Sequence, residues 1–193
     1  MTTKVQKRDD AKLKELILLL ARESEGLPHF GATKLNKELF YTDFLAYLNY
    51  GQAVTGHEYF ALERGPAPRY KMAIIHEMVE AGELAVRKTE AFGHVQDRAF
   101  ALREPNLDVF EKHELSLIYY VLRECRGKTG AALSAQSHMF LGWSLAKEKE
   151  TIPYSVVFVG TRKPTLDEIK WGQELEPMAI ECLGRHERPT VRV

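Results

Sequence analysis

The chain has 193 residues, 45% of them hydrophobic and 10% aromatic, which is enough for one domain with a real core and argues against a disordered body. Its 27 Lys and Arg balance its 27 Asp and Glu, so the overall basic excess that phosphate-driven nucleic-acid binding normally uses is missing. Cys125 and Cys182 lie far apart without metal-type spacing, which predicts free thiols in a reducing compartment.

Residues 1–8 read as a frayed basic start with no apolar signal core. The longest apolar run near it, Leu16 to Ala21, is too short to span a bilayer, so the expected location is cytoplasmic, with no membrane partner. A first helix is predicted over about 9–24, with Leu13, Leu16, Ile17, Leu20 and Ala21 on one stripe and Gly26 as its stop. A second, capped by Thr33 and closed by Gly51, carries Leu35, Leu39, Phe40, Tyr41, Phe44, Leu45, Tyr47 and Leu48. Those apolar positions exceed one stripe, so this helix is expected at the centre of the core. A short strand, Tyr59 to Leu62, precedes Arg64-Gly65-Pro66-Ala67-Pro68, where two prolines exclude helix and predict a rigid, exposed turn.

A third helix over about 69–81 ends at Gly82. A hairpin follows, with strands Leu84 to Lys88 and Ala99 to Arg103 and a long tip around Phe92-Gly93-His94. A fourth helix runs from about Lys112 to Arg126. Residues 129–149 read as two short helices interrupted near Leu141-Gly142-Trp143, and Ile152-Pro153-Tyr154 reads as a break. Thr165 to Glu168 forms a capping box for a last helix to about Cys182. The expected fold is mainly α with a small β component, an α+β fold. It should form a single domain over residues 1–183 with a loosely ordered tail at 184–193. Its N-terminal half has the element order of a winged helix.

No catalytic or metal motif accompanies these elements. Gly127-Lys128-Thr129 lacks the upstream glycine of a phosphate loop, because Leu122 stands there inside a helix. His57-Glu58 and His76-Glu77 each lack the second histidine of a zinc-protease helix. Ser134, Ser137 and His138 fall on a predicted helix rather than on a strained nucleophile turn. The chain is therefore expected to be no enzyme and to need no cofactor. An enzyme would require a deep pocket gathering Asp43, His57 and His138.

Two stretches have a distinctive order. The first is Lys34-Leu35-Asn36-Lys37-Glu38-Leu39-Phe40-Tyr41-Thr42-Asp43, then Thr55-Gly56, Tyr59 and Gly65-Pro66-Ala67-Pro68. The second is Leu133-Ser134, Ser137-His138, Trp143 and Ile152-Pro153-Tyr154. Together they resemble the SocA-like, or Panacea, antitoxin domain family over roughly residues 30–160. Members typically show a Lys-Leu-x-Lys-Leu-Leu-Tyr-x-x-Asp helix, a Gly-Pro-Val-Pro turn, a Ser-His segment and a Pro-Tyr break. Glu38 stands here where an apolar residue is usual, and Ala67 where valine is usual.

The resemblance implies an antitoxin that binds and neutralises a cognate protein toxin of a bacterial or phage toxin–antitoxin pair, encoded by an adjacent gene. A founding member is a proteolytic adaptor, which makes an ATP-dependent protease a further implied partner, and some relatives are described only as phage-associated proteins. The candidate partner-binding residues are Asp43, Tyr59, Arg64, Pro66, Pro68, Arg69 and Tyr70. Arg and Tyr are enriched at binding hot spots, and a proline-fixed turn lowers the ordering cost of association. Two simpler roles stay open: Asp43 as a structural hydrogen-bond acceptor, and the turn as a mere bridge from strand to helix. The alternative function is a winged-helix DNA-binding regulator using Arg69, Lys71, Arg87 and Lys88, although Glu77, Glu80, Glu83, Glu90 and Asp97 lie in the same region.

Overall fold

A computed structural model describes residues 7–160 and, beyond them, 165–167, 170, 171, 173–175 and 177. The chain divides into two compact units, Met1–Val159 and Gly160–Val193, and the elements named below belong to the first. In the second, the described residues from Leu166 to Pro177 are helical. Glu168, Cys182 and the expected tail lie outside the described residues, and with them part of the expected capping box and the end of the last helix.

Helix α1 (Asp10–Glu23) starts where the Asp9 side chain accepts the Lys12 backbone N–H at 2.9 Å. It buries Leu13, Leu16, Ile17, Leu18, Leu19 and Leu20, a wider band than the predicted stripe. Helix α2 (Ala32–Tyr50) stops at Gly51, whose φ of +71° is left-handed. Gly31, not Thr33, is its N-cap residue, and a Cβ there would run into the Gln96 side chain.

Strand β1 (Tyr59–Phe60) is the middle of a three-stranded antiparallel sheet. It pairs with β2 (Ala67–Pro68) on one side and with β5 (Thr151–Ile152) on the other. This corrects two expectations. Residues 65–68 are buried rather than an exposed turn, and Ile152 belongs to a strand rather than a break. Proline fits β2 because an edge strand can leave the missing N–H outside the ladder.

Helix α3 (Lys71–Glu80) leads into β3 (Leu84–Ala91) and β4 (His94–Ala101), which pair in register from Leu84↔Ala101 to Ala91↔His94. The expected long tip is instead a two-residue turn, Phe92-Gly93, with φ of 52° and 76°. Two positive φ values match the twist of the flanking strands, so the ladder runs to the end of the hairpin.

A 3₁₀ turn (Leu107–Val109) precedes α4 (Lys112–Cys125), which opens with a Glu111/Glu114 capping box. Helices α5 (Gly130–His138) and α6 (Leu141–Leu145) break at Met139-Phe140, so Gly142 and Trp143 lie inside α6 rather than at the interruption. A 3₁₀ turn (Tyr154–Phe158) follows β5.

The fold is α+β, with the winged-helix-like element order in its N-terminal half. The main core joins α1, α2, α3, the base of the hairpin and α4. A second, aromatic cluster surrounds Phe40, Phe44 and Tyr59. Among the described residues, no helix is long and apolar enough to cross a membrane.

Candidate functional site

Helix α2 is apolar on nearly every side, so its charged residues have no solvent face to occupy. Lys34, Lys37, Glu38 and Asp43 are all buried to within 1%. A buried charge is tolerable only where other groups satisfy it. Lys34 Nζ donates to the carbonyls of Cys125 at 2.7 Å, Lys128 at 3.0 Å and Arg126 at 3.3 Å. Carbonyls at the C-terminus of a helix lack intrahelical partners and carry partial negative charge, so Lys34 closes the end of α4. Glu38 lies 3.9 Å from Lys34 one turn along. Burial lowers the Lys34 pKa and raises that of Glu38, and their mutual attraction opposes both shifts.

Asp43 organises the loop after α2. It accepts the Thr55 backbone N–H at 2.7 Å, the Thr55 hydroxyl at 2.5 Å and the Tyr59 hydroxyl at 2.9 Å. Burial pushes its pKa up to about 6, against the lowering effect of the groups that donate to it. The Tyr154 hydroxyl donates to the His57 carbonyl at 2.6 Å. The aromatic cluster of Phe40, Phe44, Tyr59, Phe140 and Tyr154 encloses this polar knot.

The segment from Leu62 to Pro68 is held by its carbonyls. Leu62 O accepts both the Gly65 N–H and the Trp143 indole N–H at 2.8 Å. Arg64 O accepts the Ser134 hydroxyl at 2.8 Å, and Pro66 O accepts Lys37 Nζ at 3.0 Å. Gly65 has φ +92°, and a Cβ there would collide with Ser137 Oγ and Lys37 Nζ, so this position needs glycine on two counts. His138 stacks on Trp143 with ring centroids 3.8 Å apart. The two stretches that stood apart in sequence therefore meet around one turn.

The seven candidate residues divide between framework and surface. Asp43, Tyr59, Pro66 and Pro68 are buried. Arg69 is half-buried and engaged: it pairs with Glu58 at 3.1 Å, donates to the Thr151 hydroxyl at 2.7 Å and covers the Phe60 ring. Tyr70 is 43% exposed, with the Arg8 guanidinium 4.4 Å from its ring centre. Arg64 is exposed, and its side chain has no partner among the described residues. It stands at a cleft of about 430 Å³ that His29, Thr33, His94 and Thr129 also line, between the start of α2, the start of α5 and the hairpin tip.

Sequence reading missed Lys37, Ser134 and Trp143 as the parts that fix the turn, and Lys34 as the residue that closes α4. One signal was available: lysines on a helix too apolar to have a wet face must find buried acceptors.

The features expected of a DNA reader are not assembled on α3. Lys71 is 5% exposed and Arg69 is engaged, while Glu77 and Glu80 occupy the outer face. None of the described cavities is lined by Asp43, His57 or His138. No group of metal-ligating side chains occurs among the described residues.

A family model described as antitoxin SocA-like, Panacea domain, matches residues 35–144. That span runs from the buried face of α2 through the 62–68 segment and the hairpin to Trp143. No curated protein and no solved structure matches the chain.

Proposed function

The chain belongs to the antitoxin SocA-like, Panacea-domain family, and from that premise we propose that it binds and neutralises a protein toxin encoded by an adjacent gene in a bacterial or phage toxin–antitoxin pair. The observation that carries this reading is the match itself, because it spans the residues that clamp the 62–68 segment. A clamped segment loses little freedom when a partner docks against it, which favours tight association. In this reading Arg64, Arg69 and Tyr70 make the contact, while Asp43, Tyr59, Pro66 and Pro68 hold the surface in shape. Arg64 is the first contact to test, because it is exposed and uncommitted.

The test is toxicity rescue. Each flanking open reading frame is expressed alone and then with this chain. The reading requires that one neighbour arrests growth, that co-expression restores it, and that the two proteins co-purify. Absence of any toxic neighbour overturns it. The toxin's half-life in the rescued cells separates two modes: it shortens if the chain delivers the toxin to an ATP-dependent protease and is unchanged if the chain occludes it.

A further inference from the structure

Helix α3 and the hairpin enclose a groove of about 390 Å³, lined by Phe30, Leu35, Met72, Ile75, Val79 and Val86. Met72, Val79 and Val86 are 69%, 40% and 42% exposed, so this apolar surface faces water on a continuous stretch of the fold. Lys71 sits in the same wall, 5% exposed. Unlike Lys34, it has no carbonyl, carboxylate or hydroxyl partner among the described residues. The charge of Lys71 is felt by another cation, Lys37, which donates to Pro66 O. Asp97 also lines the groove, but it is exposed and stands opposite Lys88 across the ladder. A sunken ammonium group without an acceptor, in a groove lined mainly by apolar side chains, complements an anion that arrives with apolar flanks.

We propose that this groove docks a segment of a protein partner that carries an acidic side chain between large apolar ones, the carboxylate meeting Lys71 and the apolar side chains filling the groove along α3. That the partner is the toxin rests on the reading above; the chemistry of the groove does not.

The test uses the full chain with methyl-labelled Met and Ile. Two probes are titrated: the peptide acetyl-Leu-Phe-Glu-Leu-Phe-amide and its Gln counterpart. The expected result is a shift of the Met72 and Ile75 methyl signals, with the Glu peptide binding about tenfold or more tighter, as one charge-assisted hydrogen bond allows. Lys71→Met should erase that preference. Met72→Glu, an exposed change that the fold tolerates, should repel the Glu peptide.

Equal binding of the two peptides, or binding of neither, overturns the proposal. So does a concentration-dependent dimer in sedimentation that shifts the same methyl signals without peptide, because the occupant is then a second copy. Preference for the Glu peptide in the absence of any toxic neighbour upholds the groove and removes the antitoxin reading. Full rescue of toxicity by Met72→Glu upholds the antitoxin reading and removes the groove as the place where the toxin docks.

Discussion

Lys34 and Lys71 are both buried lysines within one domain, and their surroundings treat the charge in opposite ways. Lys34 donates to three carbonyls at and just beyond the end of α4, and so joins α2 to it. Lys71 faces an apolar groove and a second lysine. Burial alone therefore does not say what a charged residue is for. A satisfied buried charge holds elements together, and an unsatisfied one is a cost that a ligand can relieve.

The sharpest way to break this comparison is to replace both lysines by methionine. Lys34→Met leaves three carbonyls and Glu38 without their cation, and should cost about 3–5 kcal/mol in urea unfolding, the range for breaking a buried charge network. Lys71→Met should do the reverse and raise stability at pH 7 by about 2 kcal/mol, because it removes a largely buried charge that has no hydrogen-bond partner among the described residues. If both variants lose stability alike, the two sites do not differ as described.

Next in size is Asp43→Ala, which orphans the Thr55 amide and two buried hydroxyls and should cost about 3 kcal/mol. Asp43 also gives a pH signature. Its carboxyl titrates at about 6 in the folded chain and near 4 when unfolded, so the folded state holds more protons between those values. Its contribution to stability therefore falls as pH rises from about 4 to about 6, and Asp43→Asn should remove that fall from unfolding curves taken across the window.

Burial pushes Lys71 down to about 8, below its unfolded value, so the unfolded chain holds more protons above that pH. Stability should therefore rise from about pH 8 to about pH 10, and the rise should shrink in Lys71→Met.

Trp143→Phe removes one donor from Leu62 O and should cost about 1 kcal/mol, with faster amide exchange at Gly65, whose N–H shares that carbonyl. The smallest structural effect belongs to Arg64→Ala. The denaturation midpoint should stay where it is, while rescue of a toxic neighbour weakens.

The helices were legible because their signals are local. Gly51, read as the end of α2, closes it within one turn of the chain, and α1 was read from its apolar stripe, its Asp9 cap appearing only in the structure. The hairpin was legible in position and not in length, because the Phe92-Gly93 turn places a bulky residue at positive φ, where glycine or asparagine is the usual signal. Of the predicted exposed turn Arg64–Pro68, residues 65–68 are buried. The prolines announce a rigid turn, yet its burial depends on Lys37, Ser134 and Trp143, which come from distant parts of the chain. Arg64 and Tyr70 were legible as surface residues. Asp43, Tyr59, Pro66 and Pro68 were named from the same pattern and lie inside.

The sequence by itself determined the α+β composition and most helix positions, because periodicity and caps are properties of neighbouring residues. The ordered set of motifs likewise pointed to the family. Only the tertiary structure decided which charges are framework and which remain unsatisfied. That distinction depends on what stands within about 3 Å of each ammonium group, and for Lys34 those atoms lie some ninety residues away in the chain.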